Sequence, residues 1–534
     1  MTEPLPAWEA LTGRTIHSWE YDTLENMLPF LREQLTLLRT PPLHGLLPGD
    51  PAPYFGYRPE VPPPPPSLSA FRGTEVPEAG FAEALAGPPV PAKLDKTGAG
   101  GAKNGVIAAL AHDLRAGKTT SVELTQDCLA RLKAANPKLF CVISYCEERA
   151  LAEAAQADAE LAQGIDRGPL HGIPYGLKDL FAAKGAPTTF GAAPYKDQVL
   201  DFDSAVAERL RNAGAVLVAK LSLGEIAYGD NWFGGKTRTP WNLEVGSSGS
   251  SAGSGSAVAA QCVPFAIGTE TWGSIVSPST RCGTVGLRPT FGRISRYGGM
   301  ALCFSMDKVG PMCRTVADAA VVFAALQEAD PRDPSTHNAS FRFRPRRSLK
   351  GVRLGIDSAG EPTKDVLKTL ETLGATLVPI TLPSDDAIGI VASRTIQVET
   401  AANFAALIED SARFQMLETT DYRNWKTLMR LGTLMPATEY LQSQRLRRRF
   451  YEELEALLDS HALDGYVTVP GSMNSTSLAL TNLTGHPELV LQSGIQADGM
   501  PQMLSFVGRL DQDDALLSIG YAFEKKRPAS WPTF

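Results

Sequence analysis

Apolar positions along this chain recur at two spacings, and the alternation between them outlines the architecture. Between Ser18 and Arg39, residues Leu24, Met27, Leu28, Phe30, Leu31 and Leu35 fall at helical spacing and predict a short amphipathic helix. The pattern then stops at Pro41–Ser67, which is too rich in proline for a helix or a central strand. It reads either as an extended arm anchored by Tyr54, Phe55 and Tyr57 or as a solvent-exposed linker. The glycine-rich "TGAGGAKNG" closes this extension.

From Gly105 onward the texture changes. Thr120 followed by Glu123 forms a capping-box signature that opens a helix over "TSVELTQDCLARLKA". "ERALAEAAQADAELAQG" predicts a helix ended by Gly164, and "SAVAERLRNAG" another. Short runs rich in β-branched residues predict buried strands: "GAVLVAK", "GVRLGID", "ATLVPI" and "GYVTVP". "LDQDDALL" reads as the cap of a final helix. Helices interleaved with buried strands predict a layered α/β domain over residues 105–534, preceded by an N-terminal extension over residues 1–104.

Composition narrows the function more than the fold. With 43% hydrophobic and 20% charged residues, the chain has the make-up of a soluble globular protein. A net charge of −7 leaves no electrostatic footprint for nucleic acid. The one basic cluster, "QSQRLRRRF", reads as a solvated helix face. No apolar run approaches the roughly 20 residues that span a bilayer, and the N-terminus shows no secretory pattern. Seven scattered cysteines, none in C-x-x-C, predict reduced thiols and a cytoplasmic location. "RAGKTT" and "GGKTRT" carry the tail of a phosphate loop without its leading glycine, and no histidines fall at metal-ligand spacing. Neither a cofactor nor a metal is expected.

Three segments carry candidate chemistry. "GSSGSSAGSGSAVAA" (Gly246 to Ala260) runs into small apolar residues, unlike a linker. Glycines this dense permit close backbone approach, in a buried structural loop or a catalytic one. Gly249 to Gly253 matches G-x-S-x-G and would make Ser251 a nucleophile elbow, although "TRTPWNLEVG" before it is a poor strand. In "GTETWGSIVSPS", Ser274 follows Gly273, in a turn able to aim several N–H groups at one point. No histidine lies close in sequence to either serine loop. Lys178, in "PLHGIPYGLKDLF", can act as a base where burial lowers its pKa from about 10.4. Its other reading is an ordinary surface lysine.

Together these segments resemble the amidase signature family. "GSSGSSAGSGSAVAA" is similar to its G-G-S-S-G-G-S-A motif, "GTETWGS" to G-T-D-x-G-G-S, and "HGIPYGLKD" to its lysine segment. "GAVLVAKLSLGE", "KTRTPWN", "RCGTVGLRPT" and "TNLTGHPELVL" also fit. The resemblance leaves out the extension. It implies a large mixed β-sheet covered by helices on both faces and a Ser–Ser–Lys triad. In that triad Ser274 is the nucleophile, Ser250 the bridging serine after a cis Gly249–Ser250 bond, and Lys178 the base. Backbone N–H groups of Thr271, Trp272, Gly273 and Ser274 would form the oxyanion hole, with Gly249 and Ser251 supporting the loop. Ser248, Ala252 and Glu270 depart from the motifs. Trp272 does too, and its ring either lines the acyl pocket or is structural. Ser247 is a rival to Ser250, and His171 a rival base. The implied activity is hydrolysis of an amide, with esters or carbamates as further substrates. The partners are then a small-molecule amide and water, with the oligomeric state, homodimer included, left open. The alternatives are an amidotransferase A-type subunit releasing ammonia from glutamine, and a silent scaffold binding through the proline-rich arm.

Overall fold

A computed structural model describes residues 105–417, 424–470, 475–527, 529–532 and 534. The predicted N-terminal helix, proline-rich arm and glycine-rich link lie outside the described residues. Eleven strands build one mixed sheet: β1 (Val142–Tyr145), β2 (Pro174–Lys178), β3 (Val216–Leu221), β4 (Phe265–Glu270), β5 (Val285–Arg288), β6 (Lys308–Cys313), β7 (Arg353–Asp357), β8 (Thr376–Ile380), β9 (Gly465–Thr468), β10 (Glu488–Ile495) and β11 (Pro501–Gly508). Their spatial order is β1-β3-β2-β4-β6-β5-β10-β11-β9-β7-β8. β2 runs parallel to β3 and β4, and β7 to β8 and β9; the remaining pairs are antiparallel.

Alternation along the strands gives each face of the sheet its own core. On β4, Phe265 and Ile267 join the largest apolar cluster, with helices α1 (Val106–Arg115), α4 (Ala205–Asn212), α7 (Val316–Leu326) and α10 (Asp513–Lys526). Ala266 points the other way, into a cluster shared with α2 (Ser121–Leu139), α3 (Glu147–Ala162) and α5 (Ala252–Ala259). A third cluster lies between α8 (Ala387–Asn403), α9 (Ala437–Ser460) and β9. Helix α6 (Val276–Cys282) follows β4 and packs on β5 and β10.

The capping box forms as read: Glu123 N donates to Thr120 Oγ1 at 3.1 Å and Thr120 N to the Glu123 carboxylate at 3.0 Å. Three local expectations are corrected. "TRTPWNLEVG" forms a two-stranded hairpin, Arg238–Thr239 against Asn242–Gly246, because its bonds are made within the hairpin and not with the main sheet. "QSQRLRRRF" is not a wholly solvated face, since Arg447 is buried and donates to Ser305 Oγ at 2.8 Å and Ser305 O at 2.6 Å. Asp513 opens α10 but directs its carboxylate to Thr290 N at 2.8 Å and Arg293 Nη1 at 3.0 Å, so it clamps a distant loop and does not cap its own helix.

Candidate active site

β2 and β4 run side by side and end at the same edge, which carries Lys178 to the loop that follows β4. Lys178 is fully buried. Its Nζ lies 2.9 Å from Ser250 Oγ, 3.0 Å from Ser251 Oγ, 2.8 Å from Thr269 Oγ1 and 3.3 Å from Thr269 O. Burial drives its pKa well below the ordinary lysine value, against the weaker opposing pull of Asp307 and Glu270.

The glycine-serine stretch leads straight into α5, and its Gly249 and Gly253 are sterically required. A Cβ on Gly249 would fall 1.8 Å from Gly229 O, so the chain passes there only as glycine. The Gly249–Ser250 bond is cis. Hydrogen-bond accounting separates the two neighbouring serines. Ser251 Oγ donates to Thr269 O at 3.1 Å and accepts Thr269 N–H at 3.1 Å, which commits its only proton. Among the described residues Ser250 Oγ has Lys178 as its hydrogen-bond partner, so its proton is uncommitted. Ser247 turns its hydroxyl onto Ser248 O at 2.8 Å and does not reach Lys178. His171 sits before the start of β2, at the opposite end from Lys178, with Nδ1 accepting Arg167 N at 3.1 Å.

Ser274 occupies the turn between β4 and α6. Gly273 has φ 87°, the left-handed region that favours glycine, and this turns the chain abruptly at the serine. Ser274 Oγ forms no hydrogen bond among the described residues, and at 8% exposure it remains reachable, whereas Ser250 is at 1% and Ser251 at 0%. Its carbonyl accepts Ser251 N–H at 3.1 Å, joining the two serine loops. None of the backbone N–H groups of Thr271, Trp272, Gly273 and Ser274 has a hydrogen-bond partner among the described residues.

Two buried carboxylates that sequence reading did not single out for these roles hold this turn. Glu270 Oε2 accepts the N–H groups of Ile275 at 2.8 Å and Val276 at 2.9 Å, while Oε1 accepts from Arg288 at 2.7 Å and Asn482 at 2.8 Å. Burial is the largest single influence and would raise this carboxyl, but the Arg288 guanidinium and the hydrogen bonds together outweigh it and hold it at about 2. Asp307 accepts from Thr271 Oγ1 at 2.5 Å and from the N–H groups of Leu302 and Cys303 at 2.9 Å each. The one sequence signal was the departure at Glu270 from the usual aspartate.

A cavity of about 250 Å³ opens beside Thr269 and Thr271, walled by Leu180, Phe181, Met300 and Leu302. Trp272 is not part of this wall; its ring packs against the cluster between α8, α9 and β9.

A hydroxyl beside a buried amine of lowered pKa can be activated for attack on a carbonyl, and such an arrangement on a mixed α/β sheet fits a hydrolase of the acyl-transfer class. The chain belongs to the amidase family, whose model, described as Amidase, matches residues 123–517. It is 33% identical to the A-type subunit of the glutamyl-tRNA(Gln) amidotransferase of Coxiella burnetii (strain Dugway 5J108-111), over 79% of this chain and 97% of that protein. The native peptide amidase of Stenotrophomonas maltophilia superposes with a TM-score of 0.73 at 32% identity, covering 80% of this chain and 98% of that one. An amidase family protein from Bacillus anthracis gives a TM-score of 0.71 at 27% identity, covering 79% and 91%. The chain is accordingly an amidohydrolase, and among its described residues no helix is long and apolar enough to cross a membrane.

Proposed function

We propose that this enzyme is a free-standing amidase acting through an acyl-enzyme on Ser274, with Ser250 as proton relay and Lys178 as base. The observation that carries the assignment is the contact between the buried Lys178 amine and a serine whose proton is not otherwise committed. A neutral amine has two N–H groups and one lone pair. The N–H groups suit Ser251 Oγ and Thr269 Oγ1, which leaves the lone pair for the Ser250 hydroxyl. Ser250 passes its proton to Lys178 and takes one from Ser274 as Ser274 Oγ attacks the amide carbon. The oxyanion forms against the unpartnered N–H groups of Thr271 to Ser274, each well-placed donor being worth roughly 10²–10³ in rate. Ser250 then returns a proton to the departing amine, and water attacks the acyl-enzyme by the same route in reverse.

Seven free, buried cysteines accord with a reducing, cytoplasmic setting. The similarity to an amidotransferase component supports a second reading, in which a partner protein receives ammonia from this site. Labelling with a serine-directed fluorophosphonate tests the assignment. Wild type should label and hydrolyse amides, Ser274→Ala should do neither, and Lys178→Ala should lose at least 10³-fold in rate while staying folded. Full turnover in either variant refutes the triad, and copurification of a second protein with glutamine-dependent activity favours the second reading.

A further inference from the structure

The cavity beside Thr269 has a mixed lining. Leu180, Phe181, Met300 and Leu302 give it an apolar wall, and Phe304 stands at 41% exposure at its rim. Its polar lining includes Asp307 and Asp333, and through Thr269 and Thr271 it adjoins the site: Thr269 Oγ1 is 2.8 Å from the Lys178 amine and Thr271 begins the run of unpartnered N–H groups. Both arginines along the cavity are already paired with carboxylates. Arg296 pairs with Asp333 at 3.1 Å and donates to Ser335 Oγ at 2.7 Å. Arg332 pairs with Glu208 at 2.7 Å and Asp330 at 3.0 Å and lies 4.2 Å from the centre of the Tyr297 ring. Lys308 is the cross-strand partner of Glu270, on the other face from Thr269 and Val309, and its amine donates to Met306 O.

From this we infer that the cavity receives an uncharged, single-ring or branched apolar substituent of the amide substrate and excludes amino-acid amides that carry a free carboxylate, glutamine among them. The inference rests on amide hydrolysis at Ser274 and deepens it. The volume supports the size class, since an apolar cavity of about 150 Å³ takes a benzene ring, and about 250 Å³ adds room for a short link to the amide. Each buried methylene is worth about fourfold in binding, so a buried ring favours its amide over acetamide by on the order of 50-fold. A carboxylate brought to the same place leaves water without gaining a free cation, a loss of more than about 100-fold.

The test compares kcat/KM for acetamide, 3-phenylpropanamide, N-benzylacetamide and L-glutamine, the two ring-bearing amides placing the ring on the acyl and amine sides. At least one of them should exceed acetamide by about 50-fold, and glutamine should fall at least 100-fold below that one. Ala301→Trp and Phe304→Ala alter two exposed positions of the cavity rim. Each should lower the ring-to-acetamide ratio, Ala301→Trp by tenfold or more. A flat profile across the amides, glutamine turned over as well as the ring-bearing amides, or a ratio unchanged in both variants overturns the inference alone. Absence of turnover on all four, or turnover that survives Ser274→Ala, refutes the amide reading beneath it.

Discussion

Glu270→Gln isolates the charge that fixes the turn carrying Ser274, because glutamine keeps the shape and one acceptor oxygen. The carboxyl sits at about 2 against an ordinary 4.5, a depression corresponding to on the order of 3 kcal/mol of favourable interaction at neutral pH. Arg288 would keep a second partner, Glu488 at 3.0 Å, so the expected destabilisation is about 2–3 kcal/mol and not the larger loss of an orphaned buried charge. A group with a depressed folded pKa stabilises above its unfolded value and loses that contribution as pH falls through the folded one. The gap between wild type and variant, read from urea midpoints, should therefore be full at pH 7, begin to close below pH 4.5 and be nearly gone by about pH 2. The weakened clasp on Ile275 and Val276 also loosens the N–H groups just before them. We expect kcat to fall about ten- to a hundredfold with KM moving less than threefold, the pattern of an interaction felt mainly in the transition state. Wild-type kcat together with an unchanged urea midpoint at pH 7 would refute the reasoning, and a stability gap that widens in acid would refute its sign.

Ser250→Ala should lose at least 10³-fold in kcat/KM and Ser251→Ala about tenfold, since only Ser250 has an uncommitted proton. Steady-state kinetics showing the opposite order would restore Ser251 as the reactive serine. Lys178→Met should be inactive yet more stable than wild type at neutral pH, because wild type must keep a buried lysine deprotonated where the unfolded chain would protonate it. The advantage should grow as pH falls below 10.5 towards the lowered folded value, and calorimetry showing a less stable variant at pH 7 would count against a neutral lysine.

What the sequence made legible followed the reach of the interactions. The Thr120–Glu123 cap and the strand runs of β3, β7, β8 and β9 rest on local periodicity and appear where periodicity places them, within a few residues. Lys178 and the two serine loops were conspicuous because a lysine among apolar residues and glycines around serine are unusual locally. The choice between Ser250 and Ser251 was not local, since it turns on the Thr269 backbone of a neighbouring strand. Asp307 could not be read as the anchor of Thr271, nor Arg447 as a buried donor to Ser305, because their partners lie 36 and 142 positions away. Trp272 had two open readings in the sequence, and in the structure its ring faces the helices and not the cavity wall.

The clasp on Glu270 also has a consequence in time. Asn482, which donates to it, lies 212 positions further along the chain, and the His486 carbonyl that steadies Arg288 follows still later. At a synthesis rate of roughly 5–20 residues per second, the serine turn waits on the order of 10–40 s for those groups to be made. The turn that carries Ser274 is thus held on every side only after His486 has been made, and chains stopped short of that point are left with the Glu270 clasp incomplete.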